Sequence, residues 1–110
     1  MKNHNYFAYI TTNPARSVVD VGMTNDLTSR LIQHYENRGN PRTWAGKYYC
    51  YNLVWWERHS FVNHAFEREK EIKKWRREKK NKLIESMNPN WEFLNDKIGA
   101  WDSLKFPPKN

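Results

Sequence analysis

The chain has almost no cysteine and no long apolar run. Cys50 is the single cysteine among 110 residues, so an internal disulfide framework and a cysteine-based zinc site are both excluded. The apolar runs fall far short of the roughly 20 residues that a membrane-spanning helix needs, and no signal segment is expected at the start of the chain. We therefore expect a cytoplasmic protein in a reduced compartment, with no membrane partner.

Acidic residues are scarce relative to basic ones. Nineteen Lys and Arg against twelve Asp and Glu give a net charge of +7, which favours a polyanionic partner such as nucleic acid. Apolar content is only 38%, but six Trp, six Tyr and five Phe bury a large area per residue, so a compact core is feasible.

The predicted elements follow the order ββαβαα. Strands are predicted over 6–12, 18–23 and 48–56, and the turn-forming residues 13–17 make the first two a hairpin. Helices are predicted from near Asp26 to Gly39, over 62–80 and over 82–87, with a loop over 42–47. Because the first two strands are too close for a parallel crossover, we expect an α+β fold, a three-stranded antiparallel sheet flanked by helices.

A single domain is expected over residues 1–110, with its core at about 6–91. Residues 92–110 form a C-terminal extension in which Leu94 and Trp101 are large enough to pack on the body. The proline-containing end at 107–110 is expected to fray.

An amphipathic segment follows the second predicted strand. Leu27, Leu31 and His34 recur at i, i+4 and i+7 and share one helical face, and Arg30 lies at its edge. An arginine beside a core usually meets an anion or a carboxylate, so this segment predicts a binding site.

The helix after the third strand carries one carboxylate on its apolar face. That face is traced by Val62, Ala65, Phe66, Ile72 and Trp75. Glu69 lies in the middle of it, and a carboxylate there is costly unless it is paired or binds a cation. Two interpretations stay open: an Arg30–Glu69 ion pair that fixes helix packing, or a cleft where Glu69 binds a divalent metal and Arg30 a phosphate.

Basic residues crowd the same helix. The members expected to track nucleic-acid phosphates are Lys70, Lys73, Lys74, Arg76 and Arg77. The alternative is a solvated face balanced by neighbouring glutamates. The aromatic residues considered for stacking on exposed bases are Trp44, Tyr48, Tyr49 and Tyr51, although aromatics in a strand belong more often to the core.

Over about residues 6–91, the chain resembles the GIY-YIG nuclease superfamily, particularly its small single-domain bacterial members. The first family element corresponds to Phe7-Ala8-Tyr9, and the second to Asp20-Val21-Gly22 followed by Arg30 and His34 on a helix. The third corresponds to Ala65, Arg68-Glu69-Lys70, Ile72-Lys73 and Trp75. Each of these motifs is a weak signal alone, but their order and their flanking residues make the resemblance specific.

The resemblance implies hydrolysis of DNA phosphodiester bonds with Mg²⁺ or Mn²⁺. It implies that Tyr9 lies near the scissile phosphate, that Arg30 holds the phosphate and that His34 accepts or relays a proton. Glu69 resembles the single metal-ligating carboxylate. Asn81 resembles a polar group that supports the site, and Asn88 competes for that role.

Asp20 stands where the resembling family keeps the tyrosine of its second element. Asp20 either acts as the base or adds a second metal ligand, or another residue (His34, Tyr48 or Tyr49) takes over as the base. A third outcome is a non-catalytic module that binds nucleic acid or docks on a partner. A protein partner for substrate targeting is also expected as an option, because little chain lies beyond the catalytic fold.

Overall fold

The computed structural model describes residues 4–100. Its elements are β1 (Tyr6–Thr12), β2 (Val19–Thr24), α1 (Leu27–Glu36), α2 (Trp44–Lys47), β3 (Asn52–His59), α3 (Val62–Lys73) and α4 (Arg77–Met87). The strands form one antiparallel sheet in the order β2-β1-β3. The predicted α+β class and three-stranded antiparallel sheet are confirmed, with β1 as the central strand.

The β1–β2 hairpin is closed by side chains that satisfy its turn. The side-chain oxygen of Asn13 accepts hydrogen bonds from the backbone N–H groups of Ser17 and Val18, at 2.8 and 3.0 Å. The Thr12 hydroxyl donates to the Val18 carbonyl at 2.8 Å. Such side-chain bonds are why Asn and Thr are favoured in turns, and here they fix the register of the two strands.

The register places the residues of the site on one side of the sheet. Tyr9 lies opposite Gly22, and Thr11 lies opposite Asp20. Directly opposed residues share a face, as do residues two apart along a strand. Tyr9 and Asp20 therefore project to the same face of the hairpin.

Two buried clusters hold the helices on the sheet. One joins the sheet to α3 and α4, and its members are Ala8, Ile10, Val21, Val54, Trp55, Ile72 and Ile84. The other joins the sheet to α1 and to the segment after α4, and its members are Tyr9, Leu27, Leu31, Leu53, Leu94 and Ala100. Each fully buried Leu or Ile contributes about 1.5–3 kcal/mol, so the two clusters hold the helices on the sheet, and the second does so around Tyr9.

The C-terminal segment covers part of the β3 edge. The Leu94 N–H donates to the Leu53 carbonyl at 2.8 Å, and the Asn95 side chain accepts from the Leu53 N–H at 2.8 Å. The predictions for Trp101 and for residues 107–110 lie outside the described residues.

Residues 42–47 are not a loop throughout, because α2 forms there. The Thr43 hydroxyl accepts from the Gly46 N–H at 3.0 Å and caps this short helix. The strand predicted over 48–56 begins later, at Asn52, and Tyr49 adopts a φ of 59° before it. The element order therefore gains one short helix between α1 and β3.

The prediction of one helix over 62–80 is wrong. α3 ends at Lys73, Arg76 is extended with ψ of 156°, and α4 begins at Arg77. Trp75, in the break, packs against the cluster that contains Ile72 and Ile84. No proline or glycine marks this break in the sequence, and we attribute it to the burial of the Trp75 ring.

The predicted apolar face of α3 is correct only in part. Ala65 and Ile72 are fully buried, whereas Val62 and Phe66 are 51% and 50% exposed. Within residues 4–100, no helix has the length and apolar character needed to cross a membrane.

Candidate active site

A cavity of about 270 Å³ opens beside the β1–β2 hairpin, between α1, α2 and α3. The sequence-predicted residues that line it are Tyr9, Asp20, Arg30, His34, Glu69 and Lys73. We call this cavity the Tyr9 pocket. It brings together side chains that are up to 64 positions apart in the chain, from Tyr9 to Lys73.

Tyr9 lies at the centre of the pocket's hydrogen bonds. Its side chain is 1% exposed, and its hydroxyl lies 2.8 Å from His34 Nε2. Arg30 Nε donates to the same hydroxyl oxygen at 3.2 Å. Burial raises the pKa of Tyr9 to about 12, because desolvation disfavours the phenolate. Tyr9 is therefore protonated at neutral pH and has a proton to donate.

His34 is the partner for that proton. It lies in the last turn of α1, where it is 9% exposed. Burial and, to a lesser degree, the Arg30 charge lower its pKa to about 4, so the imidazole is neutral at pH 7. A neutral imidazole with its proton on Nδ1 accepts the Tyr9 hydroxyl proton at Nε2.

Arg30 holds its guanidinium at the rim of the pocket. Nε binds Tyr9, and Nη1 donates to the Gln33 side chain at 3.0 Å. Among the described residues, no ion pair joins Arg30 to Glu69. Glu69 accepts from Lys73 Nζ at 2.9 Å instead. The ion-pair interpretation of Arg30 and Glu69 is wrong, and the guanidinium faces the pocket instead.

Two carboxylates lie in the pocket. The Glu69 side chain is 15% exposed. Burial raises the pKa of Asp20, the charges of Lys73 and Arg30 oppose that rise, and the Glu69 charge adds to it. Within residues 4–100 no group of three or more His, Cys, Asp or Glu is arranged to hold a metal. Two carboxylates suit Mg²⁺ or Mn²⁺, which keep several water ligands.

Gly22 leaves room for the Tyr9 ring. A Cβ at Gly22 would lie 2.5 Å from the Tyr9 hydroxyl oxygen and 2.6 Å from Cζ. Glycine inside a strand often marks such a close approach. The glycine that ends the second family element thus has a steric reason in this chain.

The structure does not bring every predicted residue into the pocket. Asn81 does not line it, and its side-chain oxygen accepts from Arg77 Nε at 2.9 Å. Asn88 is buried and donates to the carbonyls of Val54 and Glu92, at 3.0 and 2.8 Å. Both amides therefore contact structural partners rather than the pocket.

The predicted phosphate-tracking residues divide into three kinds. Lys73 lines the pocket, and Lys70, Lys74 and Arg76 are exposed. Arg77 instead reaches back to the hairpin turn, where its Nη1 donates to the Ser17 carbonyl at 2.9 Å.

Sequence reasoning missed two features of the pocket. It considered Trp44 for stacking on exposed bases and placed it in a loop, but did not place it at the site, whereas Trp44 lines the Tyr9 pocket from α2. It also did not identify Lys73 as the partner of Glu69, although the i, i+4 spacing of an acid before a base on a helix is a recognised signal.

Comparison with known proteins identifies the family of the chain. The sequence model of one family, the GIY-YIG catalytic domain, matches residues 5–82, which include Tyr9, Arg30 and Glu69. A UPF0213 protein from Bacillus pumilus (strain SAFR-032) is 32% identical over 96 residues, which cover 87% of this chain and 95% of that protein. No solved structure matches the chain. On the family match and this relative, the chain belongs to the GIY-YIG nuclease superfamily.

Proposed function

We propose that this protein is a metal-dependent endonuclease that hydrolyses DNA phosphodiester bonds in the Tyr9 pocket. The observation that carries the proposal is the convergence of a guanidinium, a tyrosine–histidine pair and two carboxylates on one cavity. Phosphodiester hydrolysis needs a cation for the phosphate and a route for the proton of water. We place the activity in the cytoplasm, because a chain with one cysteine suits a reduced compartment.

Arg30 is proposed to bind the scissile phosphate. Its Nε already donates to Tyr9, which orients the guanidinium toward the pocket. Guanidinium groups bind phosphate oxygens through charge-assisted hydrogen bonds and stabilise the charge that grows on them in the transition state.

Tyr9 and His34 are proposed to move the proton. Because the pKa of Tyr9 is about 12, phenolate is scarce at pH 7. The attacking water therefore gives its proton to the Tyr9 oxygen as the Tyr9 hydroxyl proton passes to His34 Nε2, along the 2.8 Å contact. Neutral His34 is ready to accept this proton.

Glu69, with Asp20 as the second carboxylate, would hold Mg²⁺ or Mn²⁺. When bound, this ion supplies Lewis-acid stabilisation of charge on the phosphate. The Lys73 ammonium, 2.9 Å from Glu69, offsets the negative charge of the two acids. Asp20, with a pKa raised by burial, is also a stronger base than an exposed aspartate.

The test is a nicking assay on supercoiled plasmid with Mg²⁺ or Mn²⁺. Glu69→Ala is expected to reduce cleavage at least ~100-fold, because a metal contributes several kcal/mol to the transition state. Glu67→Ala is the matched control, since Glu67 is exposed on the same helix and does not line the Tyr9 pocket. Undiminished cleavage by Glu69→Ala would show that the metal assignment is wrong.

Asp20 favours a second candidate function, a nucleic-acid-binding or partner-docking module without hydrolysis. The residue replaces the tyrosine that the family keeps in its second element. This alternative predicts no cleavage by the unmodified chain with either metal, together with salt-sensitive DNA binding that Arg30→Ala abolishes. The absence of both cleavage and DNA binding would indicate a protein partner.

A further inference from the structure

Trp44 presents a large aromatic surface beside the Tyr9 pocket. Its side chain is 54% exposed, although tryptophan is highly buried on average. It lines the same cavity as Arg30 and Glu69. An exposed indole that lines the same cavity as the Arg30 guanidinium needs an explanation that core packing does not supply.

The Trp44 ring is held in place. Its Nε1 donates to the Val19 carbonyl on the edge strand β2, at 3.1 Å. The α2 helix that carries it is tightly packed, because a Cβ at Gly46 would lie 2.5 Å from the Asn40 carbonyl oxygen. The Gly39 N–H also donates to the Gly46 carbonyl at 2.8 Å. Trp44 is therefore a preorganised surface that loses little conformational entropy on binding.

The surroundings of Trp44 are aromatic and basic. The Tyr48 ring lies 4.4 Å from the Trp44 ring, centroid to centroid, and the Lys47 ammonium lies 5.3 Å from the Tyr48 ring. Aromatic surfaces beside cations are how proteins bind unpaired nucleotides, because bases stack on the rings while phosphates meet the charges.

We propose that Trp44 stacks on an unpaired base next to the phosphate bound at Arg30. In the interior of a paired duplex both faces of each base are covered by its neighbours, whereas an unpaired base offers a face to the indole. The preferred substrate is thus DNA with unpaired nucleotides at the cleavage position. The location of the phosphate rests on the proposed function, but the stacking itself is measurable without cleavage.

The experiment is a binding titration in EDTA by fluorescence anisotropy. Three labelled ligands are compared: a single-stranded octanucleotide, an octamer of the same phosphates with abasic sugars, and a paired duplex. Trp44→Ala is expected to weaken binding of the single strand about 5- to 160-fold, the range for one lost base–aromatic stack. The same substitution is expected to change the affinity for the abasic strand and for the duplex by less than about 2-fold, because these ligands offer no unpaired base to stack.

Two further variants separate stacking from structure. Trp44→Phe keeps an aromatic ring and is expected to retain most of the affinity for the single strand. Phe61→Ala is the matched control, since Phe61 is a 62% exposed aromatic residue that does not line the pocket. Should Trp44→Ala fail to fold, Trp44→Leu compared with Trp44→Phe gives the same contrast between an apolar and an aromatic side chain.

Each outcome decides between base stacking and the alternatives. Unchanged affinity for the single strand, or an equal loss with the abasic strand, would overturn the proposal. If the unmodified chain binds in this base-dependent way but never cleaves, stacking stands and the proposed hydrolysis fails. If it cleaves paired and unpaired DNA equally and Trp44→Ala changes neither rate, hydrolysis stands and stacking fails.

Discussion

At the scale of single residues, Gly22 and Tyr9 form a tight steric pair in the pocket. Gly22→Ala is expected to lower the free energy of unfolding by about 1–3 kcal/mol, the usual cost of overpacking a buried site. The added methyl would meet the buried Tyr9 ring, with Cζ at 2.6 Å, and would push its hydroxyl away from His34. Urea denaturation measures the loss.

The same glycine substitution in a Tyr9→Leu background provides the control. Leucine lacks the distal ring atoms that the new methyl would meet, so the cost of Gly22→Ala is expected to be smaller there. An equal cost in both backgrounds would mean that Gly22 is required for a reason other than the Tyr9 ring.

His34 predicts a dependence of stability on pH. Its pKa in the folded chain is about 4, below the ordinary value of about 6.5. As pH falls below 6.5, the unfolded chain binds a proton that the folded chain does not, so stability is lost on acidification. Between pH 7.5 and pH 5 the expected loss is on the order of 2 kcal/mol.

Thermal or urea unfolding across this pH range measures the effect, with His34→Asn as the reference. Every other titratable group is common to the two chains, so the difference between their pH curves isolates His34. Parallel curves would contradict the buried, neutral state of this imidazole.

At the scale of elements, Arg77 connects α4 to the β1–β2 hairpin. Its guanidinium donates to the carbonyls of Ser17 and Arg16, at 2.9 and 3.3 Å, and to the Asn81 side chain at 2.9 Å. Arg77→Ala is expected to cost about 1–3 kcal/mol of stability, because charge-assisted hydrogen bonds to the backbone are lost.

Arg76→Ala is the matched control for Arg77. Arg76 is exposed and adjacent, so its removal should change stability by less than about 0.5 kcal/mol. Denaturant melts of both variants suffice. Equal stability of the two would show that the contact between α4 and the turn contributes little.

The elements also show how far the sequence could be interpreted. Strand propensity and the turn residues after Thr12 predicted the hairpin, and periodicity around Leu31 predicted α1, because these signals are local. The end of α3 at Lys73 could not be predicted, since it depends on where the Trp75 ring packs. The local sequence around Lys73 does not indicate that contact.

The residues of the candidate site were also predictable only in part from the sequence. Tyr9, Arg30, His34 and Glu69 were selected from motif order and line one pocket. The Lys73–Glu69 pair is local to α3, and its i, i+4 spacing could be read from the sequence. The position of Trp44 depends on how α2 meets the sheet, which requires the fold. Asn81 was selected as a match to a supporting polar group of the family, and its side chain contacts Arg77 instead.

At the scale of the whole molecule, the net charge of +7 is divided between structural and solvent-facing cations. Arg77 and Arg68 are held by carbonyls or glutamates, whereas Lys70, Lys74 and Arg76 are exposed. Only cations that meet phosphates release counterions on DNA binding. The salt dependence of binding therefore tells which part of the charge is functional.

The double variant Lys74→Ala/Arg76→Ala is expected to flatten the salt dependence of binding to a single-stranded oligonucleotide. Each lost phosphate contact reduces the slope of log Kd against log salt concentration by about 0.7, so the pair should reduce it by about 1.4.

Arg58→Ala/Lys97→Ala is the control of equal charge, because Arg58 contacts Asn5 and Lys97 pairs with Glu92. Anisotropy titrations from low to moderate salt give both slopes. An equal change in the two double variants would mean that the basic residues around α3 contribute only general charge. A change confined to the first pair would place the bound strand where α3 ends and α4 begins.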